Sequence, residues 1–159
     1  MYDIKNLNIW KRPDFFETKS KVLERDASKQ DRRNHMTEKC QVVFDEIIEL
    51  VPAADFAEIK KRRGGKLRFP MYLNNSLMET DLEVLDLSVR SKNCLRRAGF
   101  QTIGDVVEGI EGSEDLKKIK NCGAKSVDEI MELLFCYQYE QIEKRKKITY
   151  IQRILELNT

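Results

Sequence analysis

The chain has 159 residues, with 29 Lys and Arg against 27 Asp and Glu, and a formal net charge of +2. This length predicts one domain, or one small domain with a helical attachment. Charged residues make up 35% and hydrophobic residues 41%, a balance that allows a modest core and excludes a disordered chain. No run of about 18 apolar residues and no apolar signal region occurs, so we expect a cytoplasmic protein without a membrane span.

The cysteines and the histidine suggest neither a metal site nor a catalytic pair. Cys40, Cys94, Cys122 and Cys136 are widely spaced without a CxxC motif, and His35 is the only histidine. Structural zinc requires clustered Cys and His ligands, and nucleophilic catalysis requires a base near the nucleophile. No nucleotide-binding glycine motif occurs either. We therefore expect buried free thiols in a protein that is not an enzyme and holds no metal or cofactor.

The first 75 residues carry a net charge of +4. Residues 1–12 show no clear apolar period, and apolar spacings typical of helices begin after them. Thr37 stands where an N-cap is expected, just before the most regular of these stripes. The basic run Lys60–Arg68 is either a solvated helix end or an additional clamp for DNA. The pattern predicts helices over 15–34, 36–51 and 53–63, followed by an extended connector over 66–75.

The second half has sharper helix signals. A helix is expected over 88–98, ended by Gly99, since glycine adopts the left-handed conformation without strain. Thr102 and Asp105 form a capping-box pattern that opens another short helix. A third short helix is expected over 114–119.

Residues 119–130 have the pattern of two short helices joined by a tight turn. Ser126 and Glu129 match a capping box, which predicts that the second helix starts there. The amides and the dipole at such a helix start favour an anion, and Lys125 adds a full positive charge. The hairpin is therefore either a phosphate-binding corner or an ordinary turn between helices.

Three segments, 87–99, 102–106 and 119–130, have an order and spacing that resemble the C-terminal domain of the bacterial RNA polymerase alpha subunit. The resemblance covers about residues 76–136. It implies a compact bundle of short helices, related to helix-hairpin-helix domains, that binds the minor groove of A/T-rich DNA. Residues 1–75 show no recognisable pattern of that subunit, so we expect a free-standing paralogue with helical extensions at both ends.

The resemblance also implies a DNA-binding surface. Arg90 matches an arginine that enters the minor groove, and Asn93 lies one helical turn further on the same face. An arginine is favoured in a narrow A-tract groove because the electrostatic potential there is strongly negative. Glu129 would orient Arg90 or Lys125, or act as a capping carboxylate. The implied DNA-binding residues are Arg90, Asn93, Asn121, Gly123, Lys125, Ser126 and Glu129.

Three positions depart from the family pattern. Cys122 and Ala124 stand where leucine and a basic residue are common. Val84 stands where a second acidic residue for contact with sigma factor would be expected, near Asp86. The departures leave the implied DNA contacts in place but weaken the expectation of sigma contact.

These patterns divide the chain into a helical N-terminal region of unknown role (1–75), a domain like the alpha C-terminal domain (76–137) and a helical extension (138–159). The run Lys144–Lys147 within the extension marks a solvated face or a break. The last helix is too short to be stable alone. We expect it to pack on the stripe between Cys40 and Val51, either in the same chain or in a second copy, which would form a homodimer.

Two functions follow as hypotheses. The first is a non-enzymatic, transcription-associated protein that binds double-stranded DNA through the minor groove and contacts RNA polymerase. The alternative is a protein-interaction module that docks on RNA polymerase or a transcription factor and has negligible affinity for DNA. A salt titration separates them, because DNA binding weakens steeply as salt rises.

Overall fold

The computed structural model describes the backbone of residues 3–9, 38–63 and 67–159. Side-chain surroundings are described from residue 38 onward, apart from 64–66, 113 and 114. The predicted helix over 15–34, the N-cap Thr37 and His35 lie outside the described residues, as does the middle of the basic run.

The described residues are mostly α-helical, as the sequence predicts. No helix in this described part is long and apolar enough to cross a membrane. The elements in chain order are β1 (Asp3–Ile9), α1 (Glu38–Leu50), α2 (Phe56–Arg62), β2 (Leu67–Leu73), α3 (Asn75–Glu79), a 3₁₀ turn (Leu82–Leu85), α4 (Val89–Arg97), α5 (Ile103–Gly109), α6 (Ser113–Lys117), α7 (Ala124–Gln141), a second 3₁₀ turn (Lys144–Lys146) and α8 (Lys147–Leu157).

The strands β1 and β2 form a two-stranded antiparallel sheet, running from Asp3 opposite Leu73 to Ile9 opposite Leu67. Leu67, Phe69 and Met71 are fully buried at alternate positions of β2, and Pro70 between the last two is buried as well. The expected helical N-terminal region therefore needs correction, because it begins and ends with a strand and the expected connector is mostly β2. The pairing joins segments far apart in the sequence, so no local pattern reveals it.

The helices α4 and α5 lie where the sequence predicts them. Ser88 is the N-cap of α4, and Gly99 follows the helix with a φ of +89°, which glycine adopts at little cost. At α5 the predicted capping box is confirmed. The N–H of Asp105 donates to Thr102 Oγ1 at 3.0 Å, and the N–H of Thr102 donates to Asp105 Oδ2 at 2.9 Å.

The helix α7 differs from the prediction at both ends. Its N-cap is Gly123, so the predicted capping box of Ser126 and Glu129 is wrong, and both residues lie inside the first two turns. The helix also continues to Gln141, so the domain boundary expected at residue 138 falls within it. Its later turns are buried among other elements, which favours continued helix where the local sequence suggested a division.

The centre of the hydrophobic core is Phe135 of α7. Its ring centroid lies 5.7 Å from Phe44 of α1, 6.2 Å from Phe56 of α2 and 5.2 Å from Phe69 of β2. All three pairs meet edge to face, the arrangement that the quadrupoles of aromatic rings favour. The elements before residue 75 therefore share one hydrophobic core with the second half of the chain.

The last helix, α8, packs within the same chain, but chiefly on β2 rather than on the predicted stripe of α1. The Tyr150 hydroxyl donates to the carbonyl oxygen of Pro70 at 3.0 Å. Asn158 accepts from the N–H of Arg68 at 2.8 Å and donates to its carbonyl oxygen at 2.7 Å. Backbone groups on the edge of β2 require partners, and side chains of α8 and of the residue after it supply them.

Candidate nucleic-acid interface

The helix α4 lies against the turn that precedes α7, and two contacts set the spacing between them. The Cys94 thiol donates to the carbonyl oxygen of Asn121, with Sγ and O 3.2 Å apart. A Cβ atom added to Gly123 would lie 3.7 Å from Nη2 of Arg90. The Arg90 guanidinium is therefore beside the amino end of α7, and the structure brings the two halves of the predicted site together.

The turn before α7 depends on Asn121 for its unusual backbone. Asn121 has a φ of +63°, in the left-handed region, which asparagine tolerates better than most residues. Gly123 has a φ of −75° and a ψ of 167°, extended backbone that any residue adopts. Because Gly123 has no side chain to cap α7, the helix start keeps N–H groups and partial positive charge for another partner.

The Glu129 carboxylate holds the first turn of α4 in place and makes no direct bond to Arg90 or Lys125. Its Oε1 accepts the N–H of Ser88 at 2.8 Å, and its Oε2 accepts the Ser88 hydroxyl at 2.8 Å as well as the hydroxyl of Ser91. Ser88 is the N-cap of α4, so the carboxylate fixes the first turn of α4 against α7. Glu129 therefore acts at the start of a neighbouring helix.

The predicted residues differ in their exposure to solvent. Ser126 is only 4% exposed, so its hydroxyl does not lie on the surface, although its backbone belongs to the first turn of α7. Gly123 and Glu129 are half-buried. The exposed members of the predicted set are Arg90, Asn93, Asn121 and Lys125.

The cations around this surface fall into two groups. Lys92 and Arg96 both pair with Glu83, and the pair with Lys92 in particular lowers the pKa of that carboxyl below its usual value. The second group makes no ion pair with any described residue, which leaves its charges available to an anionic partner. Its members are Arg90, Arg97, Lys120 and Lys125.

A shallow open hollow continues the surface beyond Asn121. It is lined by Asn121, Arg97, Ala98, Ile119 and Lys120. Arg97 and Lys120 were not among the residues predicted from the sequence. A signal for Arg97 was present, since positions 90, 93 and 97 share one helical face. Lys120 had no such signal, because its place beside α4 depends on the turn before α7.

The comparisons with known proteins show which family this part of the chain is similar to. Residues 72–135 match the family described as the C-terminal domain of the bacterial RNA polymerase alpha chain. These residues form an alpha C-terminal-like domain. The match extends the resemblance seen in the sequence and includes every residue of the predicted DNA-binding set.

DNA-directed RNA polymerase alpha subunits are among the relatives of the chain. The subunit of Symbiobacterium thermophilum is 39% identical over 90 residues, which cover 57% of this chain and 26% of the relative. The subunit of Pseudothermotoga lettingae is 33% identical over 138 residues, which cover 84% of this chain and 37% of the relative. The subunit of Thermotoga maritima is 49% identical over 61 residues, which cover 38% of this chain and 18% of the relative. No solved structure matches the chain.

The chain spans between 18% and 37% of the length of these three relatives. The match to the Pseudothermotoga lettingae subunit covers 84% of the chain, so it reaches beyond the alpha C-terminal-like domain into residues 1–75. The residue patterns alone showed no link between that region and the alpha subunit. The similarity is therefore wider than the sequence analysis recognised.

Within the alpha C-terminal-like domain, the two cysteines of the interface serve as packing groups. Cys94 is 2% and Cys122 is 8% exposed. Burial, together with the neighbouring Cys94, raises the pKa of the Cys122 thiol to about 11, while Arg90 acts in the opposite direction. The Cys122 thiol is thus neutral near pH 7 and adds no negative charge to the surface. In the described part of the chain, no group of His, Cys, Asp or Glu could hold a metal ion.

Proposed function

We propose that the alpha C-terminal-like domain binds double-stranded DNA, with Arg90 entering the minor groove and A/T-rich tracts preferred. One observation carries the proposal. The exposed Arg90 guanidinium, which makes no ion pair with any described residue, lies beside the amino end of α7. A full positive charge and a helix start are then adjacent, which suits a polyanion.

The other exposed residues have distinct roles in this proposal. Asn93 and Asn121 donate hydrogen bonds to base edges or sugars next to the inserted arginine. Lys125 and the first amides of α7 bind flanking phosphates, which position the domain but carry no sequence information. Ser126 contributes only its backbone N–H, since its hydroxyl is buried. The preference for A/T-rich DNA follows from the narrow groove of such tracts.

The proposed role of the protein is in transcription, in association with RNA polymerase and without catalysis of its own. This part of the proposal is supported by the family match of residues 72–135 and by the alpha-subunit relatives.

A second candidate function is docking of the same domain on a protein partner, with negligible affinity for DNA. Two exposed apolar side chains favour it, because Val89 at the start of α4 is 75% exposed and Val84 is 46% exposed. Apolar side chains this exposed gain stability when a partner covers them. Such a partner is RNA polymerase or a transcription factor in this reading.

Fluorescence anisotropy of the full chain with A/T-rich and G/C-rich duplexes tests the two functions. We expect tighter binding to the A/T-rich duplex, and a loss of at least tenfold in affinity for Arg90→Ala with an unchanged melting temperature. Arg153→Ala is the matched control, since it removes the same charge from α8. An Arg90→Ala affinity equal to that of the parent rules out groove insertion. No binding by the parent at low salt supports the protein-docking function.

A further inference from the structure

We propose that the hollow beside Asn121 holds a sugar–phosphate segment of the same DNA and extends the contact beyond the residues that the resemblance implied. The hollow is lined by Arg97, Ala98, Ile119 and Lys120 together with Asn121. The inference rests on the proposed function, because it places a second contact next to Arg90. It adds two phosphate-binding residues, Arg97 and Lys120.

The charges of the hollow are available, whereas neighbouring charges are not. Arg97 and Lys120 are exposed and make no ion pair with any described residue. The adjacent Arg96 is 2.6 Å from Glu83, and Lys118 is 2.8 Å from Asp115. Arg96 and Lys118 are therefore paired with carboxylates, whereas Arg97 and Lys120, which line the hollow, make no ion pair with a described residue.

The lining matches the chemistry of a nucleic-acid backbone. Ala98 and the half-buried Ile119 give the lining an apolar part in addition to the two cations. A deoxyribose presents an apolar face and its phosphates are anionic, so the sugar suits the apolar side chains and the phosphates suit the cations. A purely anionic ligand would not require the apolar side chains.

The hollow is continuous with the proposed groove contact. Asn121 belongs both to the turn beside Arg90 and to the lining of the hollow. Arg90 and Arg97 are seven residues apart on α4, which corresponds to about 10 Å along the helix. Arginines at this separation are able to reach different phosphates, so we assign them to separate contacts along the duplex.

This arrangement predicts a particular effect on binding. Each phosphate contact adds about −0.9 to the slope of log affinity against log salt. Loss of Arg97 and Lys120 should therefore weaken binding and flatten the salt dependence. The ratio of affinities for A/T-rich and G/C-rich duplexes should not change, because phosphate contacts do not read sequence.

The test compares the full-chain double variant R97Q/K120Q with the matched control R96Q/K118Q, by anisotropy on both duplexes over a range of salt. We expect R97Q/K120Q to lower affinity at least fivefold and to make the slope shallower by between about one and two, with an unchanged A/T preference. We expect a smaller change for R96Q/K118Q. Melting temperatures of both variants confirm that they are folded.

The outcomes separate this inference from the proposed function. If R90A abolishes binding while R97Q/K120Q keeps the parental slope, the hollow does not contact DNA and the groove contact stands. If the control loses as much slope as R97Q/K120Q, the effect is general charge removal and the inference fails. If the parent chain binds neither duplex, both the inference and the proposed function fail.

Discussion

The two ends of α7 have opposite characters. At the start of the helix, Lys125 is exposed and makes no ion pair with any described residue. In the later turns, polar groups are buried and paired. Gln138 accepts the N–H of Tyr72 at 3.0 Å, and Glu132 lies 3.6 Å from the ammonium group of Lys60.

The comparison shows that polar groups in the core and at the surface of this domain are stabilised in different ways. Buried polar groups must find partners inside the protein, because leaving them without hydrogen bonds is costly. Charges at the start of α7 carry no such constraint, since water solvates them. The candidate interface is therefore recognised by exposed charges that form no ion pair with any described residue.

The largest expected effect concerns the later turns. Phe135→Ala should reduce the free energy of unfolding by about 3–5 kcal/mol, because the ring is 1% exposed and contacts other aromatic rings. Urea unfolding followed by circular dichroism measures this change. DNA affinity should remain within twofold of the parent under conditions in which the variant is folded.

The control for Phe135 is Val42→Ala on α1, where the side chain is 66% exposed. It should change the free energy of unfolding by less than about 0.5 kcal/mol. A loss for Phe135→Ala that is no larger than the control loss would contradict the central place of this ring in the core.

A smaller effect is expected from Glu129, which should influence both stability and DNA binding. Glu129→Gln should lower the free energy of unfolding by about 1.5–3 kcal/mol, since an amide cannot accept from all the donors of Ser88 and Ser91. DNA affinity should also fall, because α4 carries Arg90. Glu79→Gln, at the exposed end of α3, is the control. Unaltered DNA affinity in folded Glu129→Gln would show that Arg90 does not depend on this anchor.

The smallest effect is a change in pH dependence at the contact of α1, α7 and α8. Glu46 accepts from Lys147 at 2.9 Å and from the Tyr139 hydroxyl at 3.1 Å, and chiefly the bond to Lys147 lowers the pKa of its carboxyl. The carboxyl therefore stabilises the fold above its unfolded pKa of about 4.5, and this contribution is lost as the pH falls through the lower folded value.

Glu46→Gln should thus flatten the loss of stability below about pH 4.5, as measured by urea unfolding at a series of pH values. The change should stay below about 1 kcal/mol, because the side chain is 45% exposed and water screens the pair. Glu49→Gln, an exposed position on the same helix, serves for comparison. Equal pH profiles for the Glu46→Gln variant and the parent would show that the pair does not stabilise the fold.

Part of the fold could be predicted because its signals are local. Ser88 and Gly99 bracket α4, and Thr102 with Asp105 starts α5, each through contacts within a few residues. The shared face of Arg90 and Asn93 likewise depends only on helical spacing. The sheet was missed for the opposite reason, since β1 and β2 become strands by pairing with each other.

The site shows the same division. The capping box assigned to Ser126 and Glu129 was wrong because the Glu129 carboxylate accepts hydrogen bonds from Ser88 at the start of α4. The local spacing of residues does not reveal this contact with a distant helix. Lys120 was missed because its position beside Arg97 depends on the left-handed residue Asn121. Such placements depend on contacts between distant segments.

The amino acids in their order were enough to indicate a mostly helical protein, several of its helix boundaries and its likeness to the alpha C-terminal domain. The folded chain alone decided which polar groups are consumed by packing, as with Ser126 and Glu129, and which stay exposed, as with Arg97 and Lys120. The physical reason is range. Helix starts and ends depend on hydrogen bonds between near neighbours, whereas burial and charge pairing depend on which distant segments meet.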